Sequence, residues 1–179
     1  MEFRKVVGFI GPIGCGKSLA ASVAAGMMIN ATILPFAKPL KSMLSAAGLT
    51  AEELYGVDKE RPSPLLGGKT PRYAMQTLGT EWGRNTINPN IWVNIWARQV
   101  SCLSAPGFVF ADDARFPNEI AAIRNLGGTV VKIVRPSSMV RNDEHASERS
   151  DELDYDLLLN NDGDVKKLRT QLFGILNKI

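Results

Sequence analysis

The apolar positions of this chain fall into short continuous runs separated by segments with helical spacing, and the two kinds of segment alternate along most of its length. Val6, Val7, Phe9 and Ile10 form the first run, rich in strand formers and lacking the polar alternation of a half-exposed strand. Leu19 to Met28 is Ala-rich and reads as a helix. Thr32, Ile33 and Leu34 make a second short strand ending at Pro35. Met43, Leu44, Ala46 and Ala47 keep helical spacing until Gly48, and Thr50 is placed to cap a further short helix with acids in its first turn. Asp58 to Thr70, polar and rich in Pro and Gly, reads as a mobile loop. Pro71 opens a helix that runs through Tyr73, Met75, Gln76, Leu78 and Trp82 to near Asn85; Asn88-Pro-Asn90 interrupts it, and Ile91 to Leu103 resumes it.

The second half repeats the alternation. Phe108 to Ala111 is a continuous apolar run suited to a central parallel strand, and Pro117 and Glu119 sit in the first turn of a helix that buries Ile120 and Ile123 and stops at Gly127-Gly128. Thr129 to Val134 is the fourth strand and Asp156 to Asn160 the fifth, before a terminal helix with Val165, Leu168, Leu172, Ile175 and Leu176 on one face. Strands alternating with helices predict an α/β fold, a parallel sheet flanked by helices, with ligands at the carboxyl ends of the strands. Gly11, Lys38, Asp112, Arg135 and Asn160 then gather at one edge. Roughly seventy residues separate the second and third strands, far more than a crossover needs, and this excess has room for a second ligand site. The expected organisation is one domain over 1–179, with a helical insert at about 37–107 and a lid at about 135–152.

Composition narrows the partners. The chain has 179 residues, 45% of them hydrophobic and 22% charged, as a soluble domain requires. Its net charge of +3 suits anionic ligands, yet it has no long Lys/Arg run of the kind a nucleic-acid groove carries, so a small phosphorylated molecule is the expected partner and nucleic acid is not. No apolar stretch is long enough to cross a membrane, and the first strand begins directly after Met1, so a cytoplasmic location is expected. Cys15 and Cys102 lack metal-ligand spacing, and His145 is the only histidine, so a zinc site or a histidine-based triad has little support. A homodimer through the helical segment is compatible with the pattern.

Between the first strand and first helix stands Gly11-Pro-Ile-Gly-Cys-Gly-Lys17-Ser18, a match to the phosphate-binding pattern G-x-x-x-x-G-K-[ST] in its required strand-loop-helix context. The glycines let the backbone bend sharply so that successive N–H groups and the helix start face phosphate oxygens. Gly11, Ile13, Gly14, Cys15, Gly16, Lys17 and Ser18 are therefore the expected nucleotide-binding residues, with Lys17 reaching the β- and γ-phosphates and the Ser18 hydroxyl on Mg²⁺. Switches, motors, hydrolases and kinases all use such a loop. Phosphoryl transfer to a second nucleotide needs cations, and Lys38, Lys41, Arg72, Arg84, Arg98 and Arg115 supply them. Arg115 stands out because it follows a strand expected to neighbour the loop. Asp112 and Asp113 are partners for Mg²⁺ or its water ligands, or for an acceptor sugar or an Arg, and either could serve as a base toward a hydroxyl acceptor. Trp92 and Trp96, one helical turn apart, fit a core better than a base-stacking surface, although Trp92 is retained among the acceptor residues.

GPIGCGKS, FAKPLK, TPRYAMQTLGTEWGR before NPNIWV, DDARFPNE, GGTVVKIVRP and HASE, in this order over about residues 6 to 163, resemble the deoxynucleoside monophosphate kinases of tailed bacteriophages. The resemblance implies a three-layer P-loop nucleotide kinase fold with a five-stranded parallel sheet, and ATP- and Mg²⁺-dependent conversion of deoxynucleoside monophosphates to diphosphates. It implies that Lys38, Arg72, Gln76, Arg84 and Arg115 hold or orient the acceptor, with Trp92 and Asp112 in the same set. Arg135 and Arg141 would steady the transferring phosphate from the lid, and Asn161, within Asn160 to Gly163, would lie near the adenine. Lys17, Arg84, Arg115 and Asp113 are cast in catalysis, and Ser18 with Asp112 on the metal. Two alternatives stay open on the residues themselves: a kinase acting on another small acceptor, such as a nucleoside or dephospho-coenzyme A, and a nucleotide-binding switch. The switch is weakened because no guanine-reading Asn-Lys-x-Asp stands out.

Overall fold

The computed structural model describes residues 4–136 and 153–179. Strands β1 (Lys5–Ile10), β2 (Ala31–Ile33), β3 (Phe108–Ala111), β4 (Thr129–Val134) and β5 (Leu157–Asn160) form one five-stranded sheet in the order β2-β3-β1-β4-β5. Every pairing is parallel. The helices are α1 (Lys17–Ala25), α2 (Lys38–Ala46), α3 (Ala51–Tyr55), α4 (Pro71–Gln76), α5 (Ile91–Ser101), α6 (Pro117–Asn125) and α7 (Val165–Leu176). The chain divides into two compact units, Met1–Phe36 with Trp96–Ile179, and Ala37–Ile95.

In the first unit the sheet is the middle layer. Alternate residues of a strand face opposite sides, so Val7 and Phe9 share one face with Phe110, Val131, Ile133 and Leu159. That face is covered by Ala20, Ala21 and Ala24 of α1 and by Leu168, Leu172 and Ile175 of α7. The small alanines let α1 lie close to the strands, and the Phe9 and Phe110 rings stack 6.0 Å apart beneath it. The opposite face is covered by α6, which packs on β1 and β4 and buries Ile120 and Ile123. This is the expected three-layer arrangement, with β4 spanning the predicted residues. The connection leaving β1 runs toward β2 on one side, whereas the connection leaving β3 runs toward β4 on the other. Chains diverging from adjacent parallel strands leave a crevice at their carboxyl ends, and the phosphate loop lies there.

In the second unit α2, α3 and α4 pack on one another. Thr50 caps α3 as expected: its hydroxyl accepts from Glu53 N at 3.3 Å, and Glu53 Oε2 accepts from Thr50 N at 2.9 Å. That backbone hydrogen bond, with others from the Ser63 and Thr50 side chains, holds the Glu53 carboxyl below its ordinary range. The Pro- and Gly-rich segment expected as a mobile loop contains two short 3₁₀ turns, Val57–Glu60 and Pro64–Leu66. Ser63, 5% exposed, ties it together by donating its N–H to Lys69 O and accepting from Leu66 N and Gly68 N.

The larger departure is in the predicted helix after Pro71. It is α-helical only to Gln76, and Thr77–Ile87 continues as a π-helical stretch of 11 residues. Hydrogen bonds reaching five residues back support this wider turn. Asn88 N donates to Gly83 O at 3.0 Å, the Arg84 guanidinium to Gly79 O at 2.9 Å, and the Thr86 hydroxyl to Glu81 O at 2.8 Å. Leu78 and Trp82, four residues apart, satisfy either helical period, so apolar spacing could not tell the two apart. Gly83 admits the Trp92 ring, and a Cβ there would stand 2.7 Å from a ring carbon. Gly83→Ala is accordingly expected to destabilise the protein by about 1–3 kcal/mol through overpacking. A melting temperature equal to that of the parent protein would show that the ring can retreat.

Candidate active site

The phosphate loop takes its shape from three glycines with positive φ: Gly11 at 139°, Gly14 at 79° and Gly16 at 100°. At two of them space is as restrictive as the dihedral. A Cβ on Gly11 would lie 2.3 Å from Ile133 O, and one on Gly16 would lie 2.4 Å from the Asn161 amide nitrogen. Gly16 is also the N-cap of α1, and Ala20 N donates to its carbonyl at 2.9 Å. The loop is therefore clamped from below by β4 and by the residue that follows β5.

Lys17 crosses the loop. Its Nζ donates to Gly11 O at 2.6 Å and Pro12 O at 2.9 Å, and lies 3.8 Å from Cys15 Sγ. Cys15 itself is fully buried and packs in the core, consistent with a supporting place in the loop. Ser18, the second residue of α1, is exposed, and Gly14 opens onto space.

Beside the loop, β3 ends at Ala111, which pairs with Gly8 of β1, and the two aspartates follow. They are used differently. Asp113 Oδ1 accepts from Phe36 N at 2.8 Å. Phe36 is held in turn by its stack on Trp96, with centroids 4.4 Å apart, while Trp96 Nε1 donates to Leu34 O at 2.9 Å. Asp113 thus anchors the chain where it leaves β2. Asp112 carries a buried Oδ1 that takes no hydrogen bond among the described residues. A buried, unpartnered carboxylate oxygen is costly unless a cation or its water ligands complete it.

Arg115 follows at the entry to α6, where buried Glu119 accepts from Arg115 N at 2.7 Å and from Phe116 N at 3.2 Å. The carboxylate satisfies two N–H groups at the start of the helix and fixes the backbone that carries the Arg115 guanidinium. Arg135 is exposed directly after β4. Asn161, 5% exposed, directly follows β5; its N–H donates to Val134 O at 2.8 Å and its side-chain amide to Cys15 O at 2.8 Å. Next to it, the Asp162 carboxylate is held below its ordinary range by a hydrogen bond from Lys167, 2.9 Å away. The first unit therefore brings the loop, Asp112, Asp113, Arg135 and Asn161 to the carboxyl edge of the sheet, with Arg115 just beyond.

The remaining acceptor candidates belong to the second unit. Lys38 is exposed at the start of α2, Gln76 is half-buried at the end of α4, and Arg72, in the first turn of α4, pairs with Glu60. Arg84 and Trp92 meet on one carbonyl, since the indole Nε1 also donates to Gly79 O, at 2.7 Å. Trp92 is 2% exposed, so its ring is packed inside this unit and is not a free stacking face. Arg141, and most of the expected lid, lie outside the described residues.

Sequence reasoning missed the tie from Asp113 to Phe36 and the supporting role of Glu119, though a Glu in a first turn next to a Pro was a visible signal for the latter. The grip of Asn161 on the loop, across 146 residues of sequence, left no local signal.

A model of the deoxynucleotide monophosphate kinase family matches residues 69–172 of the chain. A protein of Acanthamoeba polyphaga mimivirus provisionally named deoxynucleotide monophosphate kinase is 31% identical over 188 residues, covering 96% of each chain. The deoxynucleotide monophosphate kinase of Enterobacteria phage T4 is 32% identical over 108 residues, 59% of this chain and 44% of that one. Among solved structures, the shikimate kinase of Aquifex aeolicus superposes with a TM-score of 0.52 at 13% identity, covering 97% of this chain and 96% of that one; this likeness concerns the fold.

Proposed function

The chain belongs to the deoxynucleotide monophosphate kinase family, and on that premise we propose that it moves the γ-phosphoryl group of ATP to a deoxynucleoside monophosphate, giving ADP and a deoxynucleoside diphosphate. The observation that carries this reading is the pairing of a phosphate loop with a buried carboxylate oxygen of Asp112 that takes no hydrogen bond among the described residues, at one crevice of the sheet.

The loop N–H groups between Gly11 and Ser18, other than at Pro12, which has none, bind the donor phosphates; Ile13 and Gly14 complete the wall, and Cys15 supports it from the core side. Lys17, already held over the loop by carbonyl oxygens, turns its charge to the β- and γ-phosphates, which compete for the same protons. Ser18 and Asp112 would hold the Mg²⁺ that accompanies the nucleotide. One carboxylate and one hydroxyl suit an ion that keeps part of its water shell and shares the rest with phosphate. No cluster of three or more metal-binding side chains is found among the described residues. When bound, the ion neutralises charge on the phosphate oxygens.

The acceptor phosphate has a second pKa of about 6 and is largely a dianion at neutral pH, so the attacking oxygen carries no proton that needs removing. The protein must instead overcome the repulsion between two anions. Lys38, Arg72, Gln76, Arg84 and Arg115 hold the acceptor, and Arg135 and Arg141 steady the group in transit. Arg115→Ala is expected to lower kcat about 100-fold while changing the KM for ATP little. An unchanged kcat would remove Arg115 from the site.

The deciding experiment measures ADP release with ATP and Mg²⁺ against ribo- and deoxynucleoside monophosphates, nucleosides and dephospho-coenzyme A. Release that depends on a deoxynucleoside monophosphate is expected. Release indifferent to every acceptor, or stimulated only by an acceptor lacking a phosphomonoester, would overturn the proposal.

A further inference from the structure

Asn161 stands at a junction that nucleotide binding alone does not explain. It is buried at the end of β5, its backbone N–H is taken by Val134 O, and its side-chain amide donates to Cys15 O at 2.8 Å. The side-chain amide thus commits an N–H to the underside of the phosphate loop. The acceptor of that hydrogen bond matters because Cys15 C=O and Gly16 N–H belong to one peptide plane. In a trans peptide the two bonds point in opposite directions, and there is no cis peptide bond among the described residues. Drawing the Cys15 carbonyl down onto Asn161 therefore turns the Gly16 N–H outward, to the side on which phosphate oxygens lie. Gly16 is shaped to the same contact: its φ of 100° and the 2.4 Å that would separate a Cβ from the Asn161 amide nitrogen leave room for glycine alone.

We propose that Asn161 is a positioning residue for phosphoryl transfer: by holding the Cys15 carbonyl it orients the Gly16 N–H toward the donor phosphates, and it recognises the polyphosphate through the loop without touching the adenine. The inference rests on the donor half of the kinase reading and changes the role expected of Asn161 from a base contact to a phosphate-orienting one. Because the hydrogen bond reaches the end of β5 from a loop at the end of β1, it also locks the two flanks of the nucleotide site into one rigid frame, so the loop is preorganised before the nucleotide arrives.

A ligand without a base separates the two roles. Binding of inorganic tripolyphosphate and of ATP, each with Mg²⁺, is measured by calorimetry on the full chain, together with the KM for the acceptor and the melting temperature. The variants are Asn161→Ala and Asn161→Leu, the second of which keeps the side-chain volume without the donor. Both variants are expected to weaken tripolyphosphate and ATP by the same factor, about tenfold, with the acceptor KM unchanged. Weakening of ATP with tripolyphosphate unaffected would return Asn161 to the adenine and overturn the proposal. Unaltered binding of both ligands would overturn it too, as would a loss of donor and acceptor binding together with a fallen melting temperature in both variants, which marks a purely structural role. Tripolyphosphate binding requires no acceptor, so failure of the kinase reading would appear in the acceptor panel and leave this measurement readable.

Discussion

Lys17→Ala is expected to lower kcat/KM by about 1,000-fold or more while leaving the fold intact. The rate falls because the ammonium is the one side-chain cation set inside the loop itself, bonded to Gly11 O and Pro12 O. As charge shifts onto the bridging oxygen of the leaving ADP, no neighbouring group of the loop can replace it. The fold survives because Lys17 is only half-buried. Its loss releases two backbone carbonyls at the mouth of the loop, where water takes over, whereas the glycine dihedrals and the clamp from Ile133 and Asn161 do not involve its side chain. A kinetic assay with a thermal melt beside it checks both halves. Activity within tenfold of the parent protein would remove Lys17 from the transfer step, and a collapsed melt would show that the lysine builds the loop as well as charging it.

Much of the first unit was legible because its signals are local. Short apolar runs rich in β-branched and aromatic residues read as strands covered on both faces, and β4 and the start of α6 at Pro117 fall where spacing and capping put them. The phosphate loop was legible for the same reason, as its glycines answer a demand for positive φ and close approach that a single stretch of sequence encodes. The second unit was less so. Its π-helical stretch is stabilised by bonds from Arg84, Thr86 and Trp92 to carbonyls five or more residues back. Nothing in the alternation of apolar and polar residues announces a turn widened by one residue. The 3₁₀ turns around Ser63 escaped notice for a related cause: Pro and Gly mark a break in regular structure but not how the broken segment is tied down.

The site shows the same division. That Asp112 and Asp113 lie at the end of a central strand followed from the apolar run before them. Their division of labour did not, because it depends on which carboxylate meets Phe36 N from another strand's end. Adjacent residues leaving a strand face opposite ways, so one aspartate was bound to look away from the other. The long-range packing of Phe36 on Trp96 helps set the Phe36 N–H that Asp113 accepts.

That division predicts unlike consequences for two chemically identical substitutions. Asp112→Asn is expected to lower kcat about 100-fold and to raise the Mg²⁺ concentration needed for half-maximal rate, because an amide cannot supply the negative oxygen that a hard cation or its water ligands prefer. Asp113→Asn keeps an oxygen for Phe36 N–H, and a neutral acceptor in place of a charged one is expected to leave kcat within about threefold. Asp113→Ala takes that acceptor away, strands a backbone N–H, and should cost about 1–3 kcal/mol of stability, which a melting curve reads directly. Magnesium titrations of the two Asn variants, run side by side, settle the assignment. If Asp113→Asn loses as much rate as Asp112→Asn and shifts the magnesium dependence equally, both carboxylates act on the reacting phosphates and the anchoring role is wrong. If neither shifts it, the unpartnered oxygen of Asp112 serves something other than the ion, and the donor half of the site must complete its metal from elsewhere.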